Sequence, residues 1–101
     1  MMSSKRVYEL SAEADMDLEE ILDYTHLEFG FDQAEKYLTE LLETFYQLSI
    51  NPKIGKERNE IKVDLRSFPK GQHVIFYRIL VDRIRIVRIM HGNRDLPMHL
   101  K

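Results

Sequence analysis

His73-Val74-Ile75-Phe76-Tyr77-Arg78-Ile79-Leu80-Val81-Asp82-Arg83-Ile84-Arg85-Ile86-Val87-Arg88-Ile89-Met90-His91-Gly92-Asn93-Arg94-Asp95 is the run around which the chain is organised. From Val74 to Val81 nearly every residue is apolar, β-branched or aromatic on both alternating faces, the pattern of a strand covered on both sides, so 73–81 is expected to be the centre of a sheet. Asp82 and Arg83 interrupt the run. Ile84 to Met90 then resumes it with Arg83, Arg85 and Arg88 spaced through it, which predicts a tight hairpin. Asp tolerates a positive φ and Arg does not, and there is no Gly in the turn, so the turn type stays open. The second strand delivers His91-Gly92-Asn93-Arg94-Asp95, the most chemically loaded segment of the sequence.

Upstream, Arg6 to Leu10 reads as a short strand, ended by Ser11 acting as the N-cap of a helix over about 12–29. Glu13, Asp15 and Asp17 complement that helix's dipole, Leu18, Ile21, Leu22, Thr25 and Phe29 recur at helical spacing, and Gly30 is the expected stop. Asp32 with Glu35 is a capping pair for a second helix over 32–50, and the two-residue gap forces a helix hairpin. Ala34, Leu38, Leu41, Phe45 and Leu48 form its core stripe, with Tyr37 and Tyr46 as exposed aromatic candidates. Asn51-Pro52 ends this helix, and 53–60 reads as a polar loop. Ile61, Val63 and Leu65 alternate with Lys62, Asp64 and Arg66, predicting a strand, and Phe68-Pro69-Lys70-Gly71 reads as the turn into the central strand. The order is strand, helix hairpin, three-stranded antiparallel meander: an α+β fold with helices on one face of the sheet.

The chain has 101 residues, the length of one domain with a single core, so 1–101 is taken as one unit. It has no cysteine, which excludes a disulfide framework and a thiolate zinc site, and no apolar run long enough to span a bilayer. A soluble cytoplasmic protein without a membrane partner is expected. Net charge is −2, but residues 1–50 carry three basic against twelve acidic residues, a net of −9, and 51–101 carry twelve against five, a net of +7. An acidic helical half beside a basic sheet half gives one face a field suited to an anionic partner.

The cations on strands expected to be neighbours are Lys62, Arg66, Arg78, Arg85, Arg88, His91 and Arg94. Guanidinium forks suit phosphate or carboxylate oxygens, whereas solvated strand faces would explain Lys62 and Arg85 equally well. A ribonuclease would need a base for the 2′-hydroxyl, a cation for the crowded phosphorane and an acid for the leaving oxygen. His91 serves as the acid in that scheme, Arg66, Arg78 and Arg88 as charge stabilisers, and Glu57 or Glu60 as the base only if their loop folds back. No His and carboxylate spacing matches a metal site, and there is no phosphate-binding glycine loop and no Gly-x-Ser-x-Gly elbow, so no metal or other cofactor is expected.

Asn51-Pro52 with Gly55, Leu65-Arg66-Ser67-Phe68-Pro69, Gly71, His73, Ile75-Phe76-Tyr77-Arg78 and Arg88-Ile89-Met90-His91-Gly92-Asn93-Arg94-Asp95 together resemble the ParE toxins of the RelE/ParE superfamily. The resemblance covers nearly the whole chain, with Asp64 standing where relatives often have Gly and Asn93 where they often have Ala. It implies the toxin of a type II toxin–antitoxin pair, of the kind tied to plasmid stabilisation, neutralised by a ParD-like antitoxin and directed at DNA gyrase. Superfamily members on the RelE side instead cleave mRNA at the ribosome and place a Tyr or His near the C-terminus. Here no Tyr follows Tyr77, but His91 falls near that position. The implied partner-binding residues are Arg66, Arg78, Arg88, His91 and Arg94, with no catalytic residue required for gyrase poisoning. A third reading is an inert module that only binds antitoxins.

Overall fold

The computed structural model describes residues 7–92. The elements are β1 (Tyr8–Leu10), α1 (Ala12–Phe29), α2 (Phe31–Ile50), a 3-10 turn (Pro52–Ile54), β2 (Lys56–Glu57), β3 (Arg66–Lys70), β4 (His73–Ile79) and β5 (Ile84–His91). They form a five-stranded sheet in the order β1-β5-β4-β3-β2. β4 is central, as its two-sided apolar pattern requires. β1 pairs with β5 in parallel, and the other pairings are antiparallel, so the sheet is mixed and the fold is α+β.

Ser11 begins α1 as the sequence predicts: its hydroxyl accepts from the Ala14 amide at 3.0 Å and also donates to the Val87 carbonyl at 2.8 Å, tying the helix start to β5. Gly30, at φ 96°, ends α1 and starts α2, so the second helix begins at Phe31 without a side-chain cap. Asp32 therefore lies inside the first turn rather than capping it. Phe29, expected in the core stripe, is 67% exposed, and Ala14 takes the buried place instead.

The helices cover one face of the sheet. Ile21, Leu41, Phe45 and Leu48 pack there with Ile75, Tyr77, Ile84, Ile86 and Ile89. The opposite face has a smaller core of Leu65, Phe76 and Met90 with Ile61, Val74 and Val87 packed against it. That second core explains the main departure from the sequence reading. Residues 61–65 are not a strand: Ile61 and Leu65 plug the far face while Val63 is exposed, so their alternation comes from a compact loop. The loop holds itself by Arg58 N to Leu65 O (2.7 Å) and Asp64 N to the Asn59 side chain (2.9 Å). Asp64 sits at φ 66°, a conformation glycine adopts freely and Asp tolerates. The strand is 66–70 instead, including Phe68, Pro69 and Lys70, and the turn shrinks to Gly71 and Gln72. The connection read as pure loop contains β2.

The Tyr77 hydroxyl locks the sheet to the segment before β2. Tyr77, fully buried, donates to Pro52 O at 2.7 Å and accepts from Gly55 N at 2.9 Å, and a Cβ on Gly55 would overlap its ring. Burial raises the Tyr77 pKa. The β4–β5 hairpin is looser than a two-residue turn: β4 stops at Ile79, Leu80 to Arg83 form the loop, and Val81 is fully exposed. At Phe76/Tyr77 the register shifts by one, because Tyr77 pairs with Ile86 and Phe76 with Arg88, leaving Val87 as the extra residue of a bulge.

Candidate functional site

The chemistry-bearing residues gather around the second half of β5. β1 covers β5 only from Ile84 to Ile86, so beyond the bulge α1 takes over that edge. Asp17 accepts from Arg88 Nε at 2.7 Å, Arg88 Nη2 at 2.9 Å and the Ile89 amide at 3.0 Å. One carboxylate thus fixes both the bulged backbone and the guanidinium, and it holds the Arg88 pKa above its usual range, with Glu13 and Glu20 adding to the field.

Beyond the bulge, the one-residue shift makes His91 the direct cross-strand partner of His73, with ring centroids 5.7 Å apart in an edge-on arrangement. Tyr37 reaches over from α2. Its hydroxyl donates to Lys70 O at 3.0 Å and lies 2.8 Å from His73 Nδ1. Having one proton, and directing it at the carbonyl, the hydroxyl accepts from His73, which makes Nδ1–H the neutral tautomer. Burial, then the neighbouring His91, lowers the His73 pKa, and burial raises that of Tyr37. Gly71, at φ 59°, is needed here twice, since a Cβ would also stand 2.8 Å from the Tyr37 hydroxyl. Tyr37 is consequently half-buried and engaged, not the exposed aromatic expected, whereas Tyr46 is half exposed.

The expected arginines do not converge. Arg66 shares the register position, and so the face, of Tyr77, and donates to Gly55 O at 2.8 Å and to Glu57 at 3.1 Å. Arg78 lies on the other face opposite Arg85, and among the described residues it has no ion pair or side-chain hydrogen bond. Arg83 and Arg85 both grip Glu9 on β1, an arrangement that lowers the Glu9 pKa through Arg85 first. Lys62 is exposed on the 58–65 loop. Arg94 lies outside the described residues. Glu57 and Glu60 pair with Arg66 and Arg58 on the β2–β3 side, with β3 and β4 between β2 and His91, so neither reaches the histidine as a base. Among the described residues no group of three or more His, Cys, Asp or Glu is placed to hold a metal ion.

Sequence reasoning missed Asp17, Tyr37 and His73 as members of the site. Pairing Ile79 with Ile84 in an unbroken hairpin would set His73 against Met90, and the bulge alone moves it to His91. The signal was the slip from Ile84 and Ile86 to Ile89 in the apolar phase of β5.

A family model described as the ParE toxin of the type II toxin–antitoxin system parDE matches residues 8–96. The chain belongs to the ParE toxin family. It is 40% identical over 100 residues to toxin ParE1 of Mycobacterium tuberculosis, covering 98% of this chain and 100% of the relative. It is 33% identical over 93 residues to toxin ParE1 of Caulobacter vibrioides, covering 92% and 96%. A solved structure of the chromosomal ParDE system from P. aeruginosa superposes with a TM-score of 0.72 at 21% identity, over 88% of this chain and 98% of the other. No helix among the described residues is long and apolar enough to cross a membrane.

Proposed function

We propose that this ParE-family toxin poisons DNA gyrase in the cytoplasm, is held inactive by a ParD-like antitoxin, and acts by binding rather than by making or breaking bonds. The family match across residues 8–96 carries this reading. The side-chain geometry supports it: Arg66 and Arg88 are engaged by Glu57 and Asp17, and Glu57 and Glu60 lie away from His91. A general acid without a base in reach is a poor ribonuclease. Arg78, His91 and Arg94 remain the side chains proposed to meet a partner, with Arg66 and Arg88 held in the sheet by Glu57 and Asp17.

One observation favours a second reading, mRNA cleavage: His73 and Tyr37 beside His91 form a hydrogen-bonded set in which a proton could move. Purified toxin assayed for gyrase supercoiling and for mRNA cleavage in a translating extract separates the two. Inhibited supercoiling with intact mRNA is expected. Codon-dependent cleavage with normal supercoiling would overturn the gyrase reading and make His91 catalytic.

A further inference from the structure

We infer that the outer face of α1 is the seat of an antitoxin segment that is apolar and basic, an amphipathic helix bearing Lys or Arg; this rests on the antitoxin reading above. Met16, Glu20, Asp23 and Leu27 follow one another at four-, three- and four-residue spacing, so they form one stripe along the helix, with Glu13 and Tyr24 beside it. The stripe faces away from Ala14 and Ile21, which are buried on the sheet. Met16 and Tyr24 are each 61% exposed and Leu27 83%. From Met16 to Leu27 the stripe runs about 16 Å at 1.5 Å per residue, room for roughly three turns of a partner helix.

Charge identifies the occupant. α1 and α2 together carry eleven acidic residues against one lysine. Glu13, Glu20 and Asp23 are in no ion pair among the described residues, and Arg88, the sheet cation whose field Glu13 and Glu20 share, is already held by Asp17. The basic half of the chain is different, because Arg58, Arg66, Arg83, Arg85 and Arg88 each have a carboxylate partner. Glu57 and Glu60 are already counted in the +7 of the second half, so these pairs take up only Glu9 and Asp17 of the acidic half and leave the hairpin's negative field in place. An acidic segment, the occupant that the charge asymmetry of the sequence favours, would be repelled from this face. Exposed apolar side chains interleaved with uncompensated carboxylates call for Leu or Phe alternating with Lys or Arg.

The test titrates the full-length toxin with the purified product of the neighbouring antitoxin frame by calorimetry across a salt series, for wild type and three variants. Glu20→Lys/Asp23→Lys and Leu27→Asp change exposed side chains only, and circular dichroism melts establish that each remains folded. Lys62→Glu, exposed on the 58–65 loop, is the control. Expected are a loss of affinity of tenfold or more for the two α1 variants, a flatter salt dependence for the charge reversal, and near wild-type binding for Lys62→Glu. Wild-type binding by both α1 variants would overturn the inference and leave the antitoxin reading standing. No complex with wild-type toxin would overturn the antitoxin reading itself. If the toxin alone sediments as a larger species that the charge reversal dissociates, a second copy covers this face and the inference fails.

Discussion

Replacing Asp17 with Ala should be among the most damaging single changes in α1 that leave the apolar core intact. The Asp17 side chain is 12% exposed and accepts three hydrogen bonds, two from a guanidinium that is 26% exposed and one from the amide of Ile89, whose side chain is almost fully buried. Leaving the Ile89 N–H without its acceptor costs about 1–3 kcal/mol. Losing the bidentate pair adds about 1–2 kcal/mol, at the low end for such pairs because water still reaches Arg88. A total of roughly 2–5 kcal/mol corresponds to a fall in Tm of roughly 10–25 °C for a domain of this size. Arg88→Ala should cost less, about 1–2 kcal/mol, because Asp17 keeps the amide and gains access to water. A double-mutant cycle by thermal and urea melts should give a coupling of about 1–2 kcal/mol between the two. Asp17→Ala no more harmful than Arg88→Ala, or a coupling below about 0.5 kcal/mol, would refute the idea that one carboxylate holds both the bulge and the arginine.

Three further outcomes are expected. Leu41→Asp buries an unpaired carboxylate at a fully buried position of α2, so a loss of several kcal/mol should leave the domain largely unfolded, and an unchanged thermal midpoint would mean that α2 does not face the core. The His73 pKa is lowered in the fold from its ordinary 6.5, so below that pH the unfolded chain takes up a proton that the native chain resists; stability should be full above about pH 6.5 and fall as pH drops, and urea melts between pH 7.5 and 5.5 should show that slope reduced in His73→Gln. In a growth assay His91→Gln should keep most toxicity while Arg94→Ala weakens it, because loss of a general acid would cost on the order of 10²–10⁴ in rate and binding has no such dependence.

What the sequence disclosed follows from how local each signal is. The Ser11 cap, the Gly30 break, the stripe of Leu41, Phe45 and Leu48 and the two-sided apolar pattern of β4 are read from neighbouring residues, and all stand in the structure. The strand placed at 61–65 failed because alternation reports which side chains are buried, not what backbone buries them. Ile61 and Leu65 reach the far-face core from a loop, and only the positive φ of Asp64, at a position where relatives often have Gly, hinted at that. The parallel pairing of β1 with β5 is equally invisible, since a three-residue strand carries no record of its neighbour.

The site was least legible because its parts are joined by the bulge. Until Val87 is recognised as the extra residue, the sequence offers Arg88 and His91 as candidate site residues without showing what holds either of them in place. With the bulge in place, both acquire partners from the helices, Asp17 for one and, through His73, Tyr37 for the other. The electrostatic reading changes as well. Charges counted along the chain set −9 against +7, but folding pairs Glu9, Asp17, Glu57 and Glu60 with arginines and leaves Glu13, Glu20 and Asp23 on the outer face of α1 in no ion pair among the described residues. A partner recognises the field that survives these internal pairs, so net charge along a sequence predicts a partner's sign only where the charges stay unpaired after folding.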